Sequence, residues 1–98
     1  MATITVTDNV AARRFEGHTD DGALAGFADY EVGDGVIVFP HTKVDPAFEG
    51  MGVGSTIVRE ALDAVRARGG LKVEPICPFV DVWIQRHPEY QDLLADEG

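Results

Sequence analysis

A single cysteine, Cys77, in 98 residues leaves no partner for an internal disulfide. The chain is therefore not a disulfide-stapled scaffold, and a reducing compartment such as the cytoplasm suits it. Basic residues are scarce: eight Lys and Arg stand against 17 Asp and Glu, a net charge of −9. That balance repels nucleic-acid backbones and anionic membrane surfaces, so neither is expected as a partner. No apolar run approaches the roughly 20 residues that span a bilayer. Met1–Asp8 lacks the basic and apolar segments of a secretion signal. Repeats, low-complexity tracts and long linkers are missing too. The length fits one domain, residues 1–98, with a modest core. The 45% hydrophobic share is that of a folded protein. The acidic surface keeps the chain soluble and attracts cationic molecules such as amines. An anionic ligand would need a local positive field, which a helix N-terminus supplies.

The first half has the period and punctuation of strands. Ile4 and Val6 alternate with threonines, Asp8-Asn9 reads as a turn, and Val10–Gly17 as a second extended stretch. Thr19-Asp20-Asp21-Gly22 and Gly33-Asp34-Gly35 read as hairpin turns flanking a strand over Leu24–Val32. Val36–Phe39 is a continuous apolar run, as in a strand buried on both faces. Pro40 cannot donate to a sheet ladder and predicts a bulge or a splayed edge. Over Ser55–Arg68, Ile57, Val58, Ala61, Leu62 and Val65 fall on one helical face, and Gly69-Gly70 stops the helix. Leu71–Glu74 is a short strand. Pro78 suits the first turn of a helix over Phe79–Arg86, His87-Pro88 ends it, and Glu89–Ala95 reads as a last short helix. This order predicts an α+β fold with a mixed sheet.

Between the buried strand and the long helix lies Glu49-Gly50-Met51-Gly52-Val53-Gly54-Ser55. Alternating glycines admit positive φ and close approach of a ligand, and free N–H groups at a helix start suit phosphate oxygens. A Walker loop is excluded because no lysine precedes Ser55, and a dinucleotide fold would need a longer glycine spacing in an early βαβ unit. A glycine-rich turn without a ligand remains the other reading.

The loop resembles the acetyl-coenzyme A pyrophosphate loop of the GNAT superfamily of N-acetyltransferases, Gln/Arg-x-x-Gly-x-Gly/Ala. Gly52 and Gly54 match its glycines, while Glu49 stands where Gln or Arg is usual. The chain as a whole is similar to the minimal, YjdJ-like members of that superfamily. The matching words are Arg14-Phe15-Glu16, Gly26-Phe27-Ala28-Asp29-Tyr30, His41-Thr42-Lys43-Val44, Pro75-Ile76-Cys77-Pro78-Phe79-Val80 and Arg86-His87-Pro88-Glu89-Tyr90. The resemblance implies a GNAT-like, mostly antiparallel mixed sheet with flanking helices, truncated at the C-terminus. It implies acetyl-CoA as cosubstrate, an amine acceptor (a small molecule or a lysine side chain) and no metal. The last strands that wall the acceptor pocket in larger relatives are expected to be missing, so the site is open or a second copy closes it as a homodimer.

The resemblance implies that the splayed strand is Phe39–Val44, with Val44 at the pantetheine arm, and that the amides of Gly50, Met51, Gly52, Val53, Gly54 and Ser55 would take the pyrophosphate. The reaction needs a base for the amine and a donor to the thioester carbonyl. Cys77, at a helix start beside the opening, is a candidate donor, acid or transient acetyl carrier; a buried apolar cysteine is the competing reading. His41 is the candidate base, since its pKa lies near working pH; a ring bonded to Thr42 or the backbone competes. Trp83 stands where many relatives carry a tyrosine, and it packs into the core or against the coenzyme. Either Tyr90 or Cys77 then supplies the acid, or none is needed. Arg86 is a candidate for a coenzyme phosphate, against a solvated arginine. A coenzyme A-binding module without transfer and a purely structural domain are the alternative functions.

Overall fold

The computed structural model describes residues 3–95. Five strands, β1 (Thr5–Asn9), β2 (Arg14–His18), β3 (Leu24–Gly33), β4 (Val36–Val44) and β5 (Lys72–Glu74), form one sheet in sequence order. The first three pairings are antiparallel and β4–β5 is parallel. The parallel crossover carries a 3-10 turn (Pro46–Phe48) and helix α1 (Val53–Arg68). Helix α2 (Pro78–Gln85) and a 3-10 segment (Pro88–Leu93) follow β5. Among the described residues no helix is long and apolar enough to cross a membrane.

Turn chemistry explains most of this order. Asp34 and Gly35 both have positive φ (50° and 78°), the two-residue hairpin turn that matches strand twist. The first turn lies later than the sequence implied. Asn9 stays in β1, its side-chain oxygen accepts the Ala12 N–H at 3.2 Å, and Arg13 takes a left-handed φ of 56°. Val10–Arg13 is therefore the turn, and β2 starts at Arg14 rather than Val10. The segment expected as a last α-helix is a 3-10 helix over Pro88–Leu93.

Pro40 sits at the break its chemistry predicted. The register passes from Asp29↔His41 to Glu31↔Val38, so Phe39 and Pro40 together face Tyr30. This is a bulge on β4.

Both helices lie on one face. Gly17 and Gly26 are cross-strand partners, and a Cβ at either would come within 2.9 Å (Gly17) or 3.3 Å (Gly26) of the Ile57 side chain. The two glycines make a trough that seats α1. Farther along, Ala28 and Phe39 of the sheet close against Val58, Ala61 and Leu62 of α1 and Val80 of α2, with no room for a water molecule. Cross-strand pairing places Glu16, Phe27 and Lys43 in one row of the opposite face, and Arg14, Asp29 and His41 in the next. Glu16 is buried there, accepting from Arg14 Nε (2.6 Å) and Asn9 Nδ2 (3.0 Å). The C-terminal segment is fastened by Arg66, whose guanidinium donates to Asp92 and to Glu89 O at 2.8 Å.

Tyr30 ties the sheet's far end together. Its hydroxyl donates to Asp8 Oδ1 at 2.7 Å. Burial, then the Asp8 carboxylate, pushes the phenol from 10.0 up to about 12. A value raised by folding stabilises fully below pH 10.0, and that contribution is lost as the pH climbs through about 12. Tyr30→Phe is expected to cost about 1 kcal/mol at neutral pH and to flatten the loss of stability between pH 10 and 12. Urea unfolding across that range checks both; parallel pH curves for the two proteins would contradict the assignment.

Candidate active site

The site grows from the parting of β4 and β5. The two strands pair only where Val36–Val38 meets Lys72–Glu74. Pro75 follows, and one further contact holds the chain: the Cys77 N–H donates to Phe39 O at 2.8 Å. Past this point Pro40–Val44 continues with no described strand on its outer edge. The Asp45 N–H turns inward to Ala25 O at 2.8 Å. Strand alternation then points the backbone groups of Val44 and Thr42 outward into the gap.

Cys77 lies at the closed end of this gap. It is the N-cap of α2, and Pro78 at the first helical position fixes where that helix starts. The thiol is buried, with Sγ 3.6 Å from Thr42 Oγ1. Burial pushes the thiol up. The Val80 N–H, the Thr42 hydroxyl and the N–H groups of Phe79 and Thr42 outweigh it, so the net shift is downward from 9.0. Ultraviolet titration of the thiolate is expected to give a midpoint below 9.0, moved upward in Thr42→Val; a midpoint unmoved by that substitution would refute the hydroxyl's part.

The glycine loop forms the open end. Gly50 and Gly52 have φ of 83° and 75°, and a Cβ on either would meet nothing within 4 Å. The conformation needs glycine, and the space beside it is free. The first bond of α1 runs from the Thr56 N–H to Gly52 O at 3.0 Å. The N–H groups of Val53, Gly54 and Ser55 are thus left at the helix end, where the dipole favours an anion. The helix begins two residues before the expected Ser55, because Gly54 is helical and buried. Glu49 is exposed.

The other candidates divide. Trp83 is in the core: its Nε1–H donates to Ser55 Oγ at 2.8 Å, and its ring stacks on His87 at 3.7 Å. This bond ties α2 to the first turn of α1. His41 is exposed and lies on the bare face, 6.2 Å from Phe27 between ring centroids, whereas Thr42, the next residue, faces Cys77. His41 and Cys77 thus approach the gap from different faces. The Tyr90 hydroxyl donates to Asp63 at 2.8 Å, which is about 15 Å along α1 from Val53. Arg86 is exposed at the C-terminal end of α2, one turn past Trp83. Thr42 was legible only as a neighbour of His41. Phe79 carries no signal in the sequence as a site residue, because Gly54 reads there as loop rather than as helix.

A family model described as GCN5-related N-acetyl-transferase matches residues 14–93. The fold is similar to the NMR structure of a proposed GCN5-like N-acetyltransferase from Staphylococcus aureus, with a TM-score of 0.72 and 21% identity over 100% of this chain and 94% of that one. It is also similar to a proposed acetyl transferase from Pyrococcus furiosus, with a TM-score of 0.56 and 18% identity over 87% of this chain and 64% of that one. At these identities the likeness concerns the fold, and it bears out the expected mixed sheet with flanking helices. No protein of curated function matches the sequence.

Proposed function

The chain belongs to the GCN5-related N-acetyltransferase family, and from that premise we propose that it transfers an acetyl group from acetyl-CoA to an amine. The observation that carries this reading is the gap between β4 and β5, with the glycine loop at one end and the down-shifted Cys77 thiol at the other. In the proposal the N–H groups of Gly50 and of Gly52–Ser55 hold the pyrophosphate; the Met51 N–H, also expected there, donates instead to Phe48 O at 3.4 Å. The outward backbone groups of Val44 and Thr42 line the arm, and Arg86 and Trp83 bound the α2 side.

The acceptor nitrogen must be neutral to attack. His41 on the bare face takes its proton as the nitrogen lone pair bonds to the thioester carbonyl carbon. The carbon–sulfur bond then breaks, its electron pair leaves on the coenzyme sulfur, and a proton from the Cys77 thiol or from water neutralises that thiolate. Cys77 as a transient carrier is the variant route: its thiolate takes the acetyl group from the coenzyme and passes it to the amine. Mass spectrometry after mixing with acetyl-CoA separates the routes through one acetyl mass on Cys77.

A second reading, coenzyme binding without transfer, is favoured by the tyrosines. Both tyrosine hydroxyls are committed elsewhere, Tyr30 to Asp8 and Tyr90 to Asp63. Calorimetric titration with acetyl-CoA and thiol release with a panel of amines decide. Heat of binding with no amine-dependent thiol release supports the second reading, and absence of both ends the two together.

A further inference from the structure

We propose that Phe79 is a coenzyme-contacting residue, whose ring closes the slot between the glycine loop and Cys77; this rests on the acetyl-CoA reading above. A Cβ placed on Gly54 would lie 2.9 Å from Phe79 Cζ, 3.1 Å from Cε2 and 3.4 Å from Val44 Cγ2. The first turn of α1, the free half of β4 and the Phe79 ring therefore meet at one point. The backbone of the same residue lies in the first turn of α2, two residues past Cys77 at the other end of the site. One residue spans the interval from thiol to phosphate loop, and its ring lies where an arm joining the two must run.

Phe79 is 44% exposed, and its ring's hold on the slot is by contact alone, since a phenyl group makes no directional bond to Gly54 or Val44. Burial of the remaining face is available only against an added apolar or amide surface. An arm entering between Val44 and Gly54 supplies that surface once the ring rotates aside and packs over it. The closed ring keeps water from the thioester beside Cys77. Gly54 is part of the same device: any side chain there would take the space the ring uses.

The test is stopped-flow binding of acetyl-CoA to the full chain, with hydrolysis of acetyl-CoA in the absence of any acceptor as a second readout. Phe79→Ala is expected to speed dissociation about tenfold or more, to leave association equal or faster, and to raise acceptor-independent hydrolysis. Phe79→Leu, which keeps an apolar cover, is expected to recover most of both losses and serves if the alanine variant is unstable. Dissociation within about twofold of wild type in the variants, with only the melting temperature lowered, would show the ring to be packing on Gly54 and nothing more. A wild-type chain that binds no acetyl-CoA removes the transferase reading as well; wild-type binding with unchanged rates in both variants removes this one alone.

Discussion

Cys77→Ala is expected to lower kcat/KM for acetyl transfer about a hundredfold, the scale of losing one proton donor or nucleophile, while acetyl-CoA affinity stays within about twofold. The split follows from position. Cys77 lies at the closed end of the gap, and the N–H groups proposed to hold the coenzyme's anion lie at the other, on α1. Truncating the thiol removes its interaction with Thr42 and leaves the Cys77 N–H to Phe39 O bond intact. Cys77→Ser distinguishes the roles: a serine hydroxyl replaces a hydrogen-bond donor well and a thiolate nucleophile badly. Full activity in both variants would remove Cys77 from the chemistry.

Gly26→Ala carries the largest expected effect on stability, about 3 kcal/mol, or a fall in Tm of roughly 12 °C or more for a domain of this size. The reason is space rather than dihedral freedom. The new Cβ would lie 2.7 Å from Lys43 O, and a backbone oxygen inside a ladder cannot move without breaking the β3–β4 pairing. Gly17→Ala, its cross-strand partner, meets only the side chains of Ile57 (2.9 Å) and Ile4 (3.0 Å), which can rotate. It should cost clearly less, and equal melting temperatures for the two variants would overturn the distinction. Gly26 pairs with Val44, so the substitution should also weaken coenzyme binding by shifting the strand that lines the gap.

Much of this was legible in the sequence because it depends on local chemistry. The apolar stripe of α1, the Asp34-Gly35 turn and the break at Pro40 each follow from residue type and spacing, and each lies where expected. The first hairpin was misplaced because Asn9 serves a turn through its side chain while its backbone stays in β1. The start of α1 was placed late because Gly54 reads as loop until its neighbour Phe79, distant in sequence, shows what its bareness accommodates. The candidate site divides the same way. The glycine loop and Cys77 stand out as motifs. The opposed faces of His41 and Cys77, the Trp83–Ser55 bond and the slot under Phe79 are tertiary facts that no spacing encodes.

The one-sided packing of the sheet bears on the order of events in turnover. Under the proposed function, a coenzyme seated on the α1 loop would enter from the helical side, where α1 lies, and an amine met by His41 would arrive from the bare side, where His41 lies near Phe27. Neither molecule then blocks the other's way in or out. If transfer is direct, kinetics should show random rather than compulsory addition of the two substrates, with spent coenzyme free to leave while the next acceptor is already in place; the Cys77 carrier route would instead give ping-pong kinetics.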